Sequence, residues 1–302
     1  MAIHALSLVK NEADIIEANL TAALKWCDHI YVLDNGSTDG TWDAVRDMSR
    51  KFSAIIPFKQ DPKPFSDSLR HEIFAQFRRL ASAGDWWCVL DADEFYIDDP
   101  REFLARVPSE YQSVWPQLYT YLFTEIDAAN SAKDPKLYGT VSASSRLRHY
   151  VLGEYSEPRF IRHHSSMRRF PPDNVRPIYP RPIRMSHYPY RSPAQIALRL
   201  TTRVEPMTRG EFAHEKRSNW VPGGSFTLGP ADVSELSHHW EERIVRSDDC
   251  LTDDGPDTLL PPLPSLTAWL SSPEAGVPID RPRSGLKKLV DHLKQRFAHA
   301  HA

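Results

Sequence analysis

The opening third of the chain alternates between strand-like and helix-like segments, and that alternation restricts the fold more than any other feature of the sequence. Ile3 to Val9 is a mostly apolar run that reads as a buried strand, and Glu12 to Trp26 follows with Ile15, Ile16, Leu20, Ala23 and Leu24 at helical spacing. His29 to Leu33 is a second strand, rich in β-branched and aromatic residues and closed by a polar turn. Thr41 to Phe52 and Ala54 to Phe58 repeat the helix and the strand. Ser68 to Ala83 places Leu69, Ile73, Phe77 and Leu80 on one helical face, and Trp86 to Leu90 is a fully apolar strand. Strands that alternate with helices pair in parallel through right-handed crossovers. The sequence therefore predicts an α/β fold, with a mostly parallel central sheet flanked by helices. Ligands of such sheets bind beyond the carboxyl ends of the strands. Lys10 to Glu12, Asp34 to Gly40 and Asp91 to Glu94 all fall at those ends and are expected to converge on one crevice.

Asp91 and Asp93 flank a single small residue, Ala92, directly after the apolar strand. Alternate residues of an extended chain point the same way, so both carboxylates are expected to face one cation. Mg²⁺ and Mn²⁺ take oxygen ligands, commonly one or two carboxylates with substrate phosphates completing the shell. An ion held there neutralises charge on a departing phosphate group. The competing reading of a bare D-x-D is a solvated acidic turn; its placement after a buried strand favours a site.

Asp34-Asn35-Gly36-Ser37-Thr38-Asp39-Gly40-Thr41 is a turn rich in capping residues, with Asp39 or Thr41 placed to open the next helix. A calcium loop of the EF-hand type is excluded, because Gly36 and Thr38 stand where acidic or amide ligands are required. A purely structural turn is the alternative.

Val9 to Asp14, Leu33 to Thr41, and Asp85 to Phe95 together resemble the three sequence blocks of glycosyltransferase family 2-like proteins, in the same order, over roughly the first third of the chain. The resemblance implies a GT-A nucleotide-diphospho-sugar transferase fold and a nucleotide-diphosphate sugar as donor. It also implies that Lys10, Asn11, Glu12, Asp34, Asn35 and Asp39 hold the nucleotide base and ribose. Asp91, Ala92 and Asp93 would hold Mn²⁺ or Mg²⁺ with the diphosphate, and Arg70 would lie near the diphosphate or the donor sugar. His187-Tyr188-Pro189-Tyr190-Arg191-Ser192-Pro193 resembles a later block of the same group, and His187 is the candidate third metal ligand. A histidine hydrogen-bonded in a loop is the other reading of His187. The adjacent His163 and His164 are weaker choices, since neighbouring residues rarely point at one ion.

Arg159, Arg162, Arg168, Arg169, Arg176, Arg181 and Arg184 surround these histidines. Guanidinium groups suit phosphate recognition, and a solvated basic surface is the alternative. An inverting transfer needs a carboxylate to take the acceptor hydroxyl proton. Glu125, Asp127 and Asp173 are the candidates, and none is singled out by its pattern.

The expected organisation is a glycosyltransferase domain over residues 1–245, with a nucleotide-sugar half over 1–110 and an acceptor half over 111–245. Strands are expected at Ser113 to Phe123 and Leu147 to Leu152, an irregular site-forming region over 158–191, and a helix from Pro193 to Val204. A proline-rich linker over 246–284 and a basic amphipathic helix over 285–302 form an irregular C-terminal extension. In that helix Leu286, Leu289, Leu293 and Phe297 share a face beside Lys287, Lys288, Lys294 and Arg296, so peripheral contact with an anionic membrane is weighed against packing on its own domain. A net charge of −3 gives no footprint for nucleic acid. The three cysteines show no metal-ligand spacing and read as reduced, Cys27 and Cys88 as small buried hydrophobes. The first strand is too short for a secretory leader, so the expected location is cytoplasmic, or peripheral at the inner face of a membrane. Expected partners are the nucleotide-sugar donor and a glycan, lipid or other hydroxyl acceptor.

Other chemistries share parts of this pattern. A nucleotidyltransferase normally carries a Gly-rich phosphate loop after its first strand, and Val9 to Asp14 contains no glycine. A haloacid-dehalogenase-type phosphatase places its D-x-D after the first strand, whereas here it follows the fourth strand pattern. A non-catalytic sugar- or nucleotide-binding scaffold on the same fold is the rival of a different class.

Overall fold

A computed structural model describes residues 1–66, 68–134, 142–153, 157–172, 174–208 and 246–247. The chain runs β1 (Ile3–Val9), α1 (Ile16–Ala23), β2 (His29–Asp34), α2 (Thr41–Lys51), β3 (Ile55–Gln60), α3 (Ser68–Phe77) and β4 (Trp86–Leu90). These strands lie in the order β3-β2-β1-β4 and all pair in parallel, with Ala5 facing Ile30 on one side and Cys88 on the other. The expected α/β architecture, a mostly parallel sheet flanked by helices, is what the structure shows.

The period-two pattern of β1 explains why helices cover both faces. Ile3, Ala5 and Val9 join one core with Ile16 and Leu20 of α1 and Val45 and Met48 of α2. Leu6 and Leu8 join the other with Leu69, Ile73 and Phe74 of α3. Trp86 and Trp87, both fully buried, divide in the same way between the two cores. Truncating either tryptophan to alanine is expected to cost about 3–5 kcal/mol, which marks β4 as a rigid base for whatever follows it.

Beyond β4 the chain builds a second layer. β5 (Glu94–Tyr96), α4 (Pro100–Ala105), β6 (Ser113–Val114), β7 (Pro116–Tyr121), α5 (Glu125–Lys133) and a short helix α6 (Ala143–Arg146) lead to β8 (His149–Leu152). β9 (Phe160–Arg162), β10 (Ile183–His187), α7 (Pro193–Thr208) and β11 (Arg246–Ser247) follow. β9 and β6 extend the first sheet antiparallel beyond β4, and the second sheet has the order β11-β8-β7-β10-β5.

Several expectations are corrected. The run from Ser113 to Phe123 is not one strand: Ser113 and Val114 pair with β9, and from Pro116 the chain joins the second sheet beside β10. Proline at this step gives β6 no donor to continue its ladder. The region 158–191 is less irregular than expected, since it contains β9 and β10. α1 begins at Ile16 rather than Glu12, because Asn11 adopts a left-handed φ of 56° and Glu12 carbonyl oxygen caps the amides of Ile15 and Ile16. α3 ends at Phe77 in a tight 3₁₀ turn over Arg78–Leu80, and that change of period leaves Leu80 60% exposed instead of on the buried face. Arg246–Ser247, where the linker was expected to begin, pairs with Tyr150 and His149. The rest of the expected linker and the C-terminal helix lie outside the described residues. No described helix is long and apolar enough to cross a membrane. Cys27 and Cys88 are buried free thiols, and burial pushes the Cys88 thiol up to about 12.

Candidate functional site at the carboxyl ends of β1 and β4

In the order β3-β2-β1-β4 the crossovers change direction between β1 and β4, and an open sheet leaves its ligand crevice at such a point. The ends of these strands carry Lys10 to Glu12 and Asp91 to Asp93. The end of β2 beside them carries Asp34.

The β1 end and the β2–α2 loop are bound into one unit. Asn11 donates its backbone N–H to Ser37 Oγ at 2.8 Å and accepts from Thr38 N–H at 2.9 Å. Its Nδ2 donates to Thr202 Oγ1 of α7 at 3.0 Å. Asp39 Oδ2 accepts from Ala13 N–H at 3.0 Å, while Oδ1 accepts from Thr41 N–H at 3.0 Å at the start of α2. Asn35 Nδ2 donates to the carbonyls of Asp61 and Lys63 at 2.9 and 2.7 Å. Asn11, Asn35 and Asp39, expected as ligand contacts, also shape the loop they stand on. Asp34 differs: its fully buried carboxylate accepts from Ser37 N–H and Gln60 Nε2 through Oδ1, and Oδ2 has no hydrogen-bond partner among the described residues. Lys10 follows β1 at intermediate exposure.

The carboxylate turn is held from below. Asn19 of α1 donates to the carbonyls of Asp91 and Glu94 at 3.1 and 2.7 Å, and Tyr188 N–H donates to the carbonyl of Asp93 at 2.8 Å. Ala92 is buried. β4 stops at Leu90, and residues 91–93 turn rather than extend. The alternation that was expected to aim both carboxylates at one cation consequently does not operate. Asp91 Oδ1 accepts from Arg70 Nη2 at 2.5 Å, and its Oδ2 lies 3.2 Å from Arg159 Nη2. Asp93 Oδ2 lies 3.3 Å from Arg199 Nη1 and 3.6 Å from His187 Nε2. Burial pushes both carboxyls up. Arg70 and Arg159 outweigh it at Asp91, and His187 and Arg199 outweigh it more strongly at Asp93, so both remain ionised below the usual carboxylate range.

Two buried acids beside the pair shift the other way. Burial raises Glu94 to about 7 against the pull of Arg159, whose Nη2 stands 2.5 Å from Glu94 Oε1. Burial likewise raises Glu12 to about 7 against Arg191. Arg191 is fully buried and binds Glu12 Oε2 at 2.5 Å and both oxygens of Asp14 at 2.8 Å.

Among the described residues no group of three or more His, Cys, Asp or Glu side chains could hold a metal ion by itself. Mg²⁺ and Mn²⁺ commonly take one or two carboxylates from protein when phosphate oxygens complete the shell, and Asp91 and Asp93 would be those two. The residues fit an ion shared with a substrate phosphate and do not form a closed protein cage.

The base candidates separate from this cluster in what they do. Asp127 Oδ2 accepts from Thr124 N–H and Oγ1, closing a capping box at the start of α5. Glu125 is the first residue of that helix, and Asp173 lies outside the described residues. Of the arginines in the cationic region, Arg159 stands against the carboxylate pair, 3.2 Å from Asp91. Arg162 stacks on Trp86 with 4.2 Å between its guanidinium carbon and the ring centre and binds the carbonyls of Val107, Pro108 and Tyr111, while Arg184 grips Asp98. His163 accepts from the Trp87 indole at 3.0 Å, and His164 sits by Ser166.

Asn19 and Arg199 stand against the carboxylate turn and were not singled out from sequence, whereas Glu94 and Arg191 lay in segments singled out there without a role of their own. Asn19 leaves one trace, a polar residue on the apolar face that carries Ile16, Leu20 and Ala23.

No family model matches the chain, and no curated protein matches it. Among solved structures it is similar to the mannosyltransferase PcManGT from Pyrobaculum calidifontis, in complex with GDP-Man and Mn²⁺, at 19% identity and a TM-score of 0.30, covering 42% of this chain and 37% of that one. It is also similar to S. aureus TarS at 15% identity and a TM-score of 0.28, covering 40% of this chain and 22% of that one. The chain thus spans well under half the length of either structure.

Proposed function

We propose that the protein is a GT-A-type glycosyltransferase that moves a sugar from a nucleoside diphosphate donor to an acceptor hydroxyl. The observation that carries this reading is the placement of the Asp91–Asp93 turn at the point between β1 and β4 where the crossovers change direction, backed by buried arginines. That location is where an open parallel sheet takes a nucleotide, and the groups there suit a diphosphate rather than an apolar ligand.

In this reading Asp34, with one buried oxygen unpartnered, accepts from a hydroxyl or ring N–H of the nucleoside. Arg70 and Arg199 bind and orient the diphosphate. A divalent ion at Asp91 and Asp93 would supply electrostatic stabilisation of the leaving diphosphate. Asn19 and Tyr188 fix the turn through its backbone, so the carboxylates are positioned before substrate arrives. The acceptor oxygen attacks the anomeric carbon as the bond to the diphosphate oxygen breaks, and its proton passes to a base. Inversion is the proposed outcome.

A thermal-shift screen of UDP, GDP and their sugar conjugates, with and without Mn²⁺, tests the reading on wild type and Asp93→Asn. A ligand that binds only the folded state stabilises it by about 2.7 kcal/mol at a hundredfold excess over its dissociation constant. The expected result is a metal-enhanced shift with one nucleotide family that Asp93→Asn loses, together with slow hydrolysis of the matching nucleotide sugar. No shift with any of these ligands overturns the proposal, and a shift without hydrolysis or transfer favours the non-catalytic scaffold.

A further inference from the structure

An inverting transfer brings the acceptor oxygen to the anomeric carbon on the face opposite the departing diphosphate. The group that takes its proton therefore has to stand across the carboxylate turn from the nucleotide loops. Those loops follow β1 and β2, which lie on one side of β4. On the other side β9 pairs antiparallel with β4, Cys88 facing Phe160, and Val89 N–H donates to the Arg159 carbonyl at 2.9 Å. The chain entering β9, from Glu157 to Arg159, thus meets the carboxylate turn on the flank away from the nucleotide.

Glu157 is the acid this entry segment carries. Its Oε1 accepts from Arg159 Nη1 at 2.9 Å, while Nη2 of the same guanidinium lies 3.2 Å from Asp91 Oδ2. One planar group separates Glu157 from the turn and fixes the direction of its carboxylate. Other described acids near the turn are committed elsewhere. Glu94 is only 3% exposed and out of reach of an incoming acceptor, whereas the Glu157 side chain is 31% exposed. Glu12 and Asp14 are bound by Arg191 on the β1 side, and Asp98 is held by Arg184.

We propose that Glu157 is the catalytic base. As the acceptor oxygen bonds to the anomeric carbon, the bond from that carbon to the diphosphate oxygen breaks and its electron pair leaves with the diphosphate. The hydroxyl proton passes to Glu157 Oε2, and the half-buried carboxyl then returns it to water. The inference rests on the nucleotide-sugar reading above and supplies the base that reading leaves unnamed.

Glu157→Gln separates a base from a structural partner, because the amide carbonyl still accepts from Arg159 but takes no proton. The probes are the UDP and GDP sugar conjugates of the thermal-shift screen, with Mn²⁺ and with water as acceptor, and the readout is release of nucleoside diphosphate. Glu157→Gln is expected to release it about a hundredfold more slowly than wild type, with the nucleotide-induced thermal shift unchanged. Azide has no proton to lose, so in Glu157→Ala it is expected to restore release and to yield a glycosyl azide of inverted configuration. Release by Glu157→Gln within about threefold of wild type overturns the assignment, and so does a thermal shift lost along with turnover, since Glu157 then only holds Arg159. Azide that restores nothing overturns it as well. In each of these cases turnover by wild type leaves the transferase reading standing. A wild type that releases no nucleoside diphosphate from any conjugate sinks that reading and this assignment with it.

Discussion

Arg191 and Asp14 stand 177 positions apart in the chain and share a two-point hydrogen bond, Nε to Oδ2 and Nη2 to Oδ1, each at 2.8 Å. The same guanidinium reaches Glu12 and the carbonyl of Tyr188, and the Arg191 N–H donates to Gln195 in the first turn of α7. One side chain therefore ties the β1–α1 loop to the strand and helix that carry His187 and Arg199. Arg191→Ala is expected to destabilise the fold by about 3 kcal/mol, the lower end of the cost of stranding buried charge, because Asp14 is half exposed. Arg191→Lys is expected to recover less than half of that, since an ammonium cannot make the paired contact. Urea denaturation of both variants measures the difference. Equal stability of Arg191→Lys and wild type overturns the geometric claim.

Asn19 presents two donors to the carbonyls of Asp91 and Glu94, and both are used by the turn that bears the carboxylates. Asn19→Ala is expected to cost about 2 kcal/mol for the lost hydrogen bonds. Asn19→Asp is expected to cost more, because it sets a carboxylate against two carbonyl oxygens. If the turn needs Asn19 for its shape, the nucleotide-induced thermal shift falls in Asn19→Ala by more than the drop in basal stability accounts for. An unchanged shift means that the other bonds to the turn, Tyr188 N–H among them, suffice to hold its shape.

The legibility of the site follows from how local each signal is. β1 to β4 were readable because their apolar runs and intervening helical periods each lie within one short window, and Asp91 and Asp93 were readable because they adjoin such a run. The break between Val114 and Pro116 was not, since a bulky β-rich run reads alike whichever sheet it joins. β9 spans only Phe160–Arg162, too short for any period to show. The seven arginines from 159 to 184 look equivalent along the chain. Only the fold brings Arg159 to Asp91, sends Arg162 to Trp86, and gives the partnership with Asp93 to Arg199, which lay outside the basic cluster. Long-range ion pairing has no sequence period, so the cations of this site had to come from structure.

Gly36 is confined in two independent ways. Its φ of +76° lies in the left-handed region, and a Cβ there would stand 2.9 Å from Pro62 Cα and 3.0 Å from Pro62 Cβ. Gly36→Ala is expected to cost about 1–2 kcal/mol for the backbone conformation, with the steric contact added to it. Gly36→Asn eases the conformational part, because asparagine tolerates this region, and keeps the steric part. The loop from 61 to 63 that carries Pro62 is also held by Asn35, so both variants are expected to weaken the nucleotide binding proposed next to Asp34. Chemical denaturation of the two variants separates the contributions, and an Asn variant as stable as wild type rules out the contact with Pro62.

His4 sits at the opposite end of the sheet, fully enclosed, with Nδ1 3.1 Å from the Tyr31 hydroxyl and Nε2 3.9 Å from Asp85. Its ring stacks on His29 and tilts against Trp87, and Asp28 and His163 complete the titratable surroundings. Burial, helped by His29, lowers its pKa from 6.5 to about 4. Between those values the unfolded chain binds a proton that the folded protein excludes, so stability rises with pH across the window. The contribution of His4 is therefore complete above pH 6.5 and is lost as pH falls toward 4. Glu12 and Glu94, raised to about 7, act in the opposite sense, because the folded state retains their protons as pH climbs from the ordinary carboxylate value. Comparing wild type with His4→Gln cancels the two acids and leaves the histidine. The variant is expected to be less stable by about 1 kcal/mol at pH 7.5, through the altered contact with Tyr31, and to lose less stability than wild type between pH 6.5 and 4.5. Parallel stability curves for the two proteins across that interval would show that His4 takes up its proton in the folded state as readily as in the unfolded one.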